Sequence, residues 1–246
     1  MPIFYDSLSD HLRDWALCQS LFFVASAPLR GRHINVSPKG LLDSSFAVLG
    51  PNQVAYVDLT GSGCETISHI RDNGRVTIMF CSFDKTPRIM RFFGTGSVFE
   101  WHEAGFAALC GKMKGVGASL AGSRAIIVVD FFKVQVSCGF GVPKIMQSSG
   151  QDDKAHFENR PTLQEFAQRT VDRGEMPDYQ KKWNARSLDG LPGLRSAWRD
   201  SGRHVWSAQY QNWVSRHRHQ LEDLKTLAIL TLVLVLIGKV WQGPSI

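Results

Sequence analysis

Short apolar runs bounded by turn residues occupy most of the first 145 residues. Six of these runs have the β-branched and aromatic composition of strands, and they lie at 33–37, 46–49, 54–59, 75–83, 88–101 and 124–138. Helical patterns fall at 6–19, just after residue 64 and at 103–114. Because tight turns join antiparallel neighbours, this order predicts a mainly β fold with helices (α+β), built on a six-stranded antiparallel barrel.

A glycine-rich turn ends the third of these strands, in the stretch YVDLTGSGCETISH at 56–69. Gly61 and Gly63 permit backbone angles that other residues avoid. Ser62 and Glu65 match a capping box, which predicts the start of a helix. Free N–H groups and the helix dipole converge at such a start, so a phosphate can sit there. The alternative is a capped helix that binds no ligand.

The pattern becomes helical after about residue 145. Residues 147–159 are polar and are predicted to form a linker, and Thr162 and Glu165 match a second capping box. Further helices are expected at 179–186 and 203–225. We therefore divide the chain into a barrel at 1–145, a helical extension at 146–225 and a hydrophobic helix at 226–241.

The last helix, TLAILTLVLVLIGKVW, carries no charge from Leu227 to Gly238. A helix that is apolar on all sides is typical of a membrane span or a deeply buried core. The basic residues Arg216, Arg218 and Lys225 precede it, so the positive-inside rule predicts a C-terminal membrane anchor with the main domain in the cytosol. A thin bilayer such as that of the endoplasmic reticulum fits the short segment best. The alternative is a cytoplasmic protein in which this helix docks on protein.

Charge and cysteine content narrow the function classes. The net charge is +6, and the positive excess near the C-terminus could meet nucleic acid or anionic lipid; the apolar segment after it favours lipid, and we predict no nucleic-acid partner. The five cysteines include no C-x-x-C pair and no zinc-site spacing, so we predict no metal. The first ten residues lack the features of a secretory signal, which favours reduced thiols in a cytosol-facing protein.

Three segments read together resemble one known family. HINVSPKG, YVDLTGSGCETISHIRDNGRVTIMF and PRIMRFFGTGSV are similar to successive strands of the FMN-binding split barrels, the pyridoxamine 5′-phosphate oxidase-like proteins. SCGFGVP and NARSLDGLPGL resemble an uncharacterised fungal and bacterial branch of that family. The resemblance covers about residues 10–194. It implies a homodimer of six-stranded split barrels that binds FMN in a groove between its subunits.

The same resemblance implies the cofactor-binding residues. The strand along the flavin ring would carry Asn35, Val36 and Ser37, with Lys39 either a phosphate ligand or an exposed hairpin lysine. The phosphate and ribityl chain would meet the end of the third predicted strand and its turn, at Asp58, Thr60, Gly61, Ser62, Gly63, Glu65 and Thr66. Arg88 and Arg91 would reach toward the cofactor from a later strand.

Two departures from the family bear on function. The turn reads Ser62-Gly63-Cys64, without the cation that a true oxidase has there, so phosphate would need backbone N–H groups, Thr66 and an arginine from elsewhere. The C-terminal segment that binds substrate phosphate in true oxidases is missing. The resemblance therefore implies an FMN-dependent oxidoreductase acting on an unidentified small organic molecule, with no catalytic residue assigned. The alternatives are a non-catalytic flavin-binding protein and a membrane-tethered dimeric interaction protein.

Overall fold

The computed structural model describes residues 2–113, 121–146 and 156–241, and it divides the chain into two compact units, Met1–Leu163 and Gln164–Ile246. Most of the predicted linker, residues 147–155, lies outside the described residues. The predicted boundary at residue 225 falls within one continuous helix.

The first unit is built on an antiparallel sheet of eight strands. Its strands are β1 (Ile3–Tyr5), β2 (Phe22–Ser26), β3 (Asn35–Lys39), β4 (Phe46–Gly50), β5 (Gln53–Leu59), β6 (Arg75–Cys81), β7 (Arg88–Glu100) and β8 (Ser123–Cys138). Their order in the sheet is β3-β2-β6-β7-β8-β5-β4, with β1 beside β8. A separate pair joins β9 (Lys144–Met146) to β10 (His156–Glu158), and the helices are α1 (Asp10–Leu17), α2 (Leu42–Ser45), α3 (Glu65–Asn73) and α4 (Ala104–Lys112).

The predicted fold class is confirmed, but the sheet has two more strands than the six predicted. The sequence interpretation left β1 and β2 out and placed β3 two residues too early. β2 is short, and its residues 22, 24 and 26 are buried while 23 and 25 are half-buried, so it lies in the interior of the sheet between β3 and β6.

Aromatic side chains from five strands fill the core of the first unit. Phe22 packs on Phe46 and Tyr56 with ring centroids 5.0 and 5.5 Å apart, and Phe80 links them to Phe92 at 5.6 Å. All five rings are almost fully buried. Burial of each large apolar side chain stabilises the fold by about 1.5–3 kcal/mol, so this cluster fixes the positions of the strands around it.

A β-bulge interrupts the longest strand pair, β7 with β8, at one of the glycines of β7. Phe93 pairs with Lys133 and Gly94 pairs with Phe131, so Phe132 is an extra residue on β8. The backbones approach closely, because a Cβ on Gly94 would lie 2.5 Å from the carbonyl oxygen of Asp130. A bulge of this kind bends its strand and increases the local twist.

The second unit contains helices, one of them very long. They are α5 (Thr162–Asp172, which begins in the first unit), α6 (Met176–Asn184), α7 (Arg195–Asp200) and α8 (Val205–Trp241). Trp198 is buried, donates its indole N–H to the carbonyl of His204 at 3.1 Å, and has the guanidinium groups of Arg186 and Arg203 over its ring. Trp198 therefore serves the packing of the second unit.

The predicted membrane anchor at 226–241 is not supported. Within the described parts of the chain, no helix has both the length and the apolar character required to cross a bilayer. The uncharged run from Leu227 to Gly238 extends about 18 Å as a helix, against a hydrocarbon core of about 30 Å. The apolar side chains from Leu227 to Ile237 are exposed on α8.

Candidate functional site

An open cavity of about 290 Å³ lies where β3, the end of β5 and the start of α3 meet. Its lining is mostly polar, and it consists of Asn35, Ser37, Lys39, Asp58, Leu59, Gly61, Ser62, Gly63, Glu65, Thr66 and Arg124. Nine of the thirteen residues assigned from the sequence are therefore brought together in one place.

Two cations and one buried carboxylate form the floor of the cavity. Asp58 is 1% exposed, and each of its oxygens meets a cation: Oδ1 accepts from Lys39 Nζ at 3.0 Å and Oδ2 from Arg124 Nε at 2.7 Å. Both cations are about one-quarter exposed. A buried carboxylate needs such partners, because an unpaired charge in the interior is strongly unfavourable. Asp58 therefore holds Lys39 and Arg124 side by side at the cavity.

The alternation of β3 selects which of its side chains enter the cavity. Asn35, Ser37 and Lys39 share one face and are half-buried, while Val36 lies on the other face and is 61% exposed. Successive side chains of a strand point to opposite sides, so every second residue contributes. Val36 is thus outside the cavity.

Two side-chain hydrogen bonds fasten α3 to the sheet. Asn35 Nδ2 donates to Thr66 Oγ1 at 2.9 Å, and Ser26 Oγ lies 3.0 Å from His69 Nδ1. Thr66, His69 and Ser26 are all buried. These contacts hold α3 against β2 and β3, with Asn35 and Thr66 both in the lining of the cavity.

The capping box predicted at Ser62 and Glu65 is not formed. α3 begins at Glu65 itself, its N-cap is Cys64, and that cap makes no side-chain hydrogen bond. The first intrahelical bond runs from the Ser68 N–H to the Cys64 carbonyl at 2.9 Å. The start of α3 thus has no side-chain cap, and uncapped N–H groups at a helix start favour an anion.

The remaining predicted residues lie elsewhere. Thr60 donates its N–H and its hydroxyl to the Gly122 carbonyl at 2.7 and 2.8 Å, which ties the turn to the chain just before β8. Arg88 begins β7 opposite Cys138 and lies over the Trp15 ring at 5.3 Å. Arg91 lies near Gln135 and Ser137, and burial lowers the pKa of its guanidinium.

Arg124 is the cavity cation that the sequence interpretation missed. It lies 66 residues from its partner Asp58 along the chain. The register of β5 on β8 brings the two together, because Asp58 pairs with Ala125. Arg124 is the first residue of the predicted strand at 124–138, and its neighbours in the sequence do not indicate that it meets Asp58.

Comparison with known proteins gives the family. No family model matches the chain. A protein of Aspergillus flavus described as "Pyridoxamine 5'-phosphate oxidase family protein ustO" is 61% identical over 248 residues, which cover 99% of this chain and 98% of the relative. This chain belongs to the pyridoxamine 5′-phosphate oxidase family.

Solved structures similar to this family member cover about half of it. HupZ of group A Streptococcus is 22% identical, with a TM-score of 0.41, and covers 52% of this chain and 91% of its own. The FAD-binding protein of Mycobacterium smegmatis is 14% identical, with a TM-score of 0.37, and covers 54% and 97% of the two chains.

Proposed function

We propose that this member of the pyridoxamine 5′-phosphate oxidase family is an FMN-dependent oxidoreductase that acts on a small organic molecule. The observation that carries the proposal is the cavity beside the turn at 60–66. It brings together two cations, hydroxyl and amide donors and a helix N-terminus, which come from β3, β5, α3 and β8. The family resemblance supplies the identity of the cofactor.

The residues present fit a phosphate monoester. Lys39 and Arg124 provide positive charge, and Arg124 bonds Asp58 through Nε, so its Nη nitrogens take no part in that bond. Arginine suits bidentate phosphate contacts. At Gly61 a Cβ would have no heavy atom within 4 Å, so the turn leaves open space beside its backbone.

The size of the cavity supports a binding site that two subunits share. About 290 Å³ is at or just below the lower end of the range of small-molecule pockets, so one chain would enclose the phosphate end of FMN but not the whole molecule. β3 is an edge strand, and its exposed Val36 and the preceding Ile34 are apolar. We therefore propose a homodimer in which a second subunit covers the flavin ring.

When bound, FMN would supply the electron and hydride transfer, as flavins do. Lys39 and Arg124 would hold its phosphate, while Asn35 and Ser37 would donate hydrogen bonds to it from β3. Asp58 keeps both cations in place.

The test begins with the full-length protein incubated with FMN and desalted. A yellow protein with flavin absorbance near 450 nm, and tighter binding of FMN than of riboflavin, is the expected result. Bleaching of that absorbance by a reduced nicotinamide or another organic donor would distinguish an oxidoreductase from a protein that only stores or binds flavin. A colourless protein with no measurable affinity for either flavin would contradict the proposal.

A further inference from the structure

The cavity contains a second carboxylate that the anion-binding hypothesis does not use. Glu65 is exposed, and its side chain folds back over the turn, because a Cβ on Gly63 would collide with Glu65 Oε2. Both Glu65 and Gly63 line the cavity. The carboxylate therefore lies at the anion-binding end of the cavity, next to the first turn of α3.

The charges of the cavity cancel. Lys39 and Arg124 are matched by Asp58 and Glu65, so the formal charge of the lining is zero at neutral pH. While Glu65 stays over the turn, a dianionic phosphate gains little from this lining. One carboxylate has to move out of the cavity before the two cations and the N-terminus of α3 can attract an anionic ligand.

The two carboxylates differ in their freedom to move. Asp58 is almost fully buried and held by a cation on each oxygen. Glu65 is exposed, and no ion pair involving it is found in the described part of the chain. Rotation of the Glu65 side chain into solvent breaks no such pair, so Glu65 is the carboxylate that can move out of the cavity.

We propose that Glu65 is an internal competitor for the flavin phosphate and thereby sets how strongly the protein prefers FMN over riboflavin. This inference rests on the proposed function. In the ligand-free protein the Glu65 carboxylate occupies the place of the phosphate, and it rotates into solvent when FMN binds. The role is one of specificity and positioning, since Glu65 itself does not bond the flavin.

The test uses the full-length protein with Glu65→Gln and Glu65→Lys, and measures dissociation constants for FMN and riboflavin by flavin fluorescence at low and high salt. Glu165→Gln is the matched control, because Glu165 is also an exposed acid in the first turn of a helix and does not line the cavity. We expect FMN to bind about tenfold more tightly to Glu65→Gln, equivalent to about 1.4 kcal/mol, and more tightly still to Glu65→Lys. Riboflavin affinity should stay within about twofold in every variant, and the FMN gain should shrink in high salt.

Several results would overturn the inference. An unchanged ratio of FMN to riboflavin affinity in both Glu65 variants would show that the carboxylate does not compete with phosphate. An equal gain for both flavins would show that it blocks the cavity by its bulk and not by its charge. If the wild type binds FMN but the variants gain nothing, only this inference fails; if no protein in the series binds any flavin, the proposed function fails with it.

Discussion

Asp58 is the residue on which the candidate site depends. Its carboxylate is buried and bonded to Lys39 on one side and Arg124 on the other. A buried carboxylate with two cationic partners organises those cations even when no ligand is bound, and preorganised donors bind a ligand without a further ordering cost. The phosphate binding that we propose for this cavity therefore depends on Asp58.

The first prediction concerns the two arginines that could supply phosphate charge. Arg124→Ala should weaken FMN binding at least tenfold and leave riboflavin nearly unchanged, because a charge-assisted hydrogen bond contributes about 1.5–3 kcal/mol. Arg124→Lys should retain part of the affinity. Arg88→Ala is the control, since Arg88 lies at the opposite end of β8 from the cavity. An equal loss in Arg88→Ala and Arg124→Ala, measured by flavin fluorescence, would contradict the assignment.

A second prediction concerns the hydroxyl of Tyr56. It is fully buried, and the described residues offer it no hydrogen-bond partner. Burial, with the nearby Asp58, holds the pKa of Tyr56 well above its usual value. Tyr56→Phe should therefore leave the free energy of unfolding unchanged or raise it by about 1 kcal/mol, since it removes an unpaired buried polar group.

The pH dependence of that variant follows from the direction of the shift. Above about pH 10 an unfolded tyrosine loses its proton while Tyr56 in the folded protein keeps it. The unfolded state then binds fewer protons, so wild-type stability falls with rising pH by up to about 1.4 kcal/mol per unit for this group. Denaturant unfolding should show that Tyr56→Phe lacks this part of the alkaline loss. Tyr210→Phe, at an exposed position, should keep it.

Local sequence signals identified part of the site and missed part of it. The turn from Gly61 to Thr66 could be predicted, because its signals lie within about ten residues of sequence. They are the glycines that follow a strand and the polar residues at the start of a helix. Lys39 was left open, since nothing local shows that it meets Asp58 19 residues later. Arg124 was missed for the same reason. Contacts set by strand register depend on the whole sheet, and a single sequence does not display them.

At the scale of elements, α3 owes its position to the sheet more than to its own cap. Its N-cap makes no side-chain bond, and the helix is fastened through Thr66 and His69 instead. No cap holds the turn before it, and the Glu65 side chain that folds back over Gly63 is the group that a ligand would have to displace there.

The third prediction tests that backbone approach. Replacing Ser62-Gly63 by two bulky residues should raise the FMN dissociation constant at least tenfold, a loss of about 1.4 kcal/mol, by blocking the turn. Helix content by circular dichroism should stay unchanged, because neither residue caps α3. Unaltered FMN affinity in the double variant would show that the phosphate does not bind at this turn.

The bulge between β7 and β8 gives a fourth prediction. Gly94→Ala should lower the free energy of unfolding by about 1–3 kcal/mol, because its Cβ would lie 2.5 Å from the Asp130 carbonyl oxygen and 2.8 Å from Phe131 Cα. Gly50→Ala is the control: no heavy atom lies within 4 Å of its Cβ position, so the change should be within about 0.5 kcal/mol. Equal midpoints of urea unfolding for the two variants would contradict the close approach.

The strands were predictable where their patterns were long. The runs at β5, β6, β7 and β8 have seven or more residues each, and their positions were predicted to within about three residues. β1 has three residues and β2 has five, which gives too few alternations to recognise. The boundary that the sequence suggested at residue 225 falls inside α8, because a change from polar to apolar composition does not require a break in the backbone.

At the scale of the whole molecule, the fifth prediction is a homodimer. Light scattering of the full-length protein at micromolar concentration should give twice the chain mass. Val36→Asp should shift the protein toward monomer and weaken FMN binding, since Val36 is an exposed apolar side chain on the edge strand beside the cavity. Val171→Asp, an exposed valine on α5, should change neither quantity. A monomeric wild type that binds FMN tightly would contradict the shared site.

The extra residue at Phe132 also affects how this sheet can change in length during evolution. Before it, the core positions of β8 are 127, 129 and 131; after it they continue at 134 and 136. Elsewhere in the strand, losing one residue would turn every later side chain to the wrong face. At Phe132, which has no pairing partner on β7, a deletion would keep that alternation. Relatives that differ by one residue in this strand could therefore keep the same core and the same cavity.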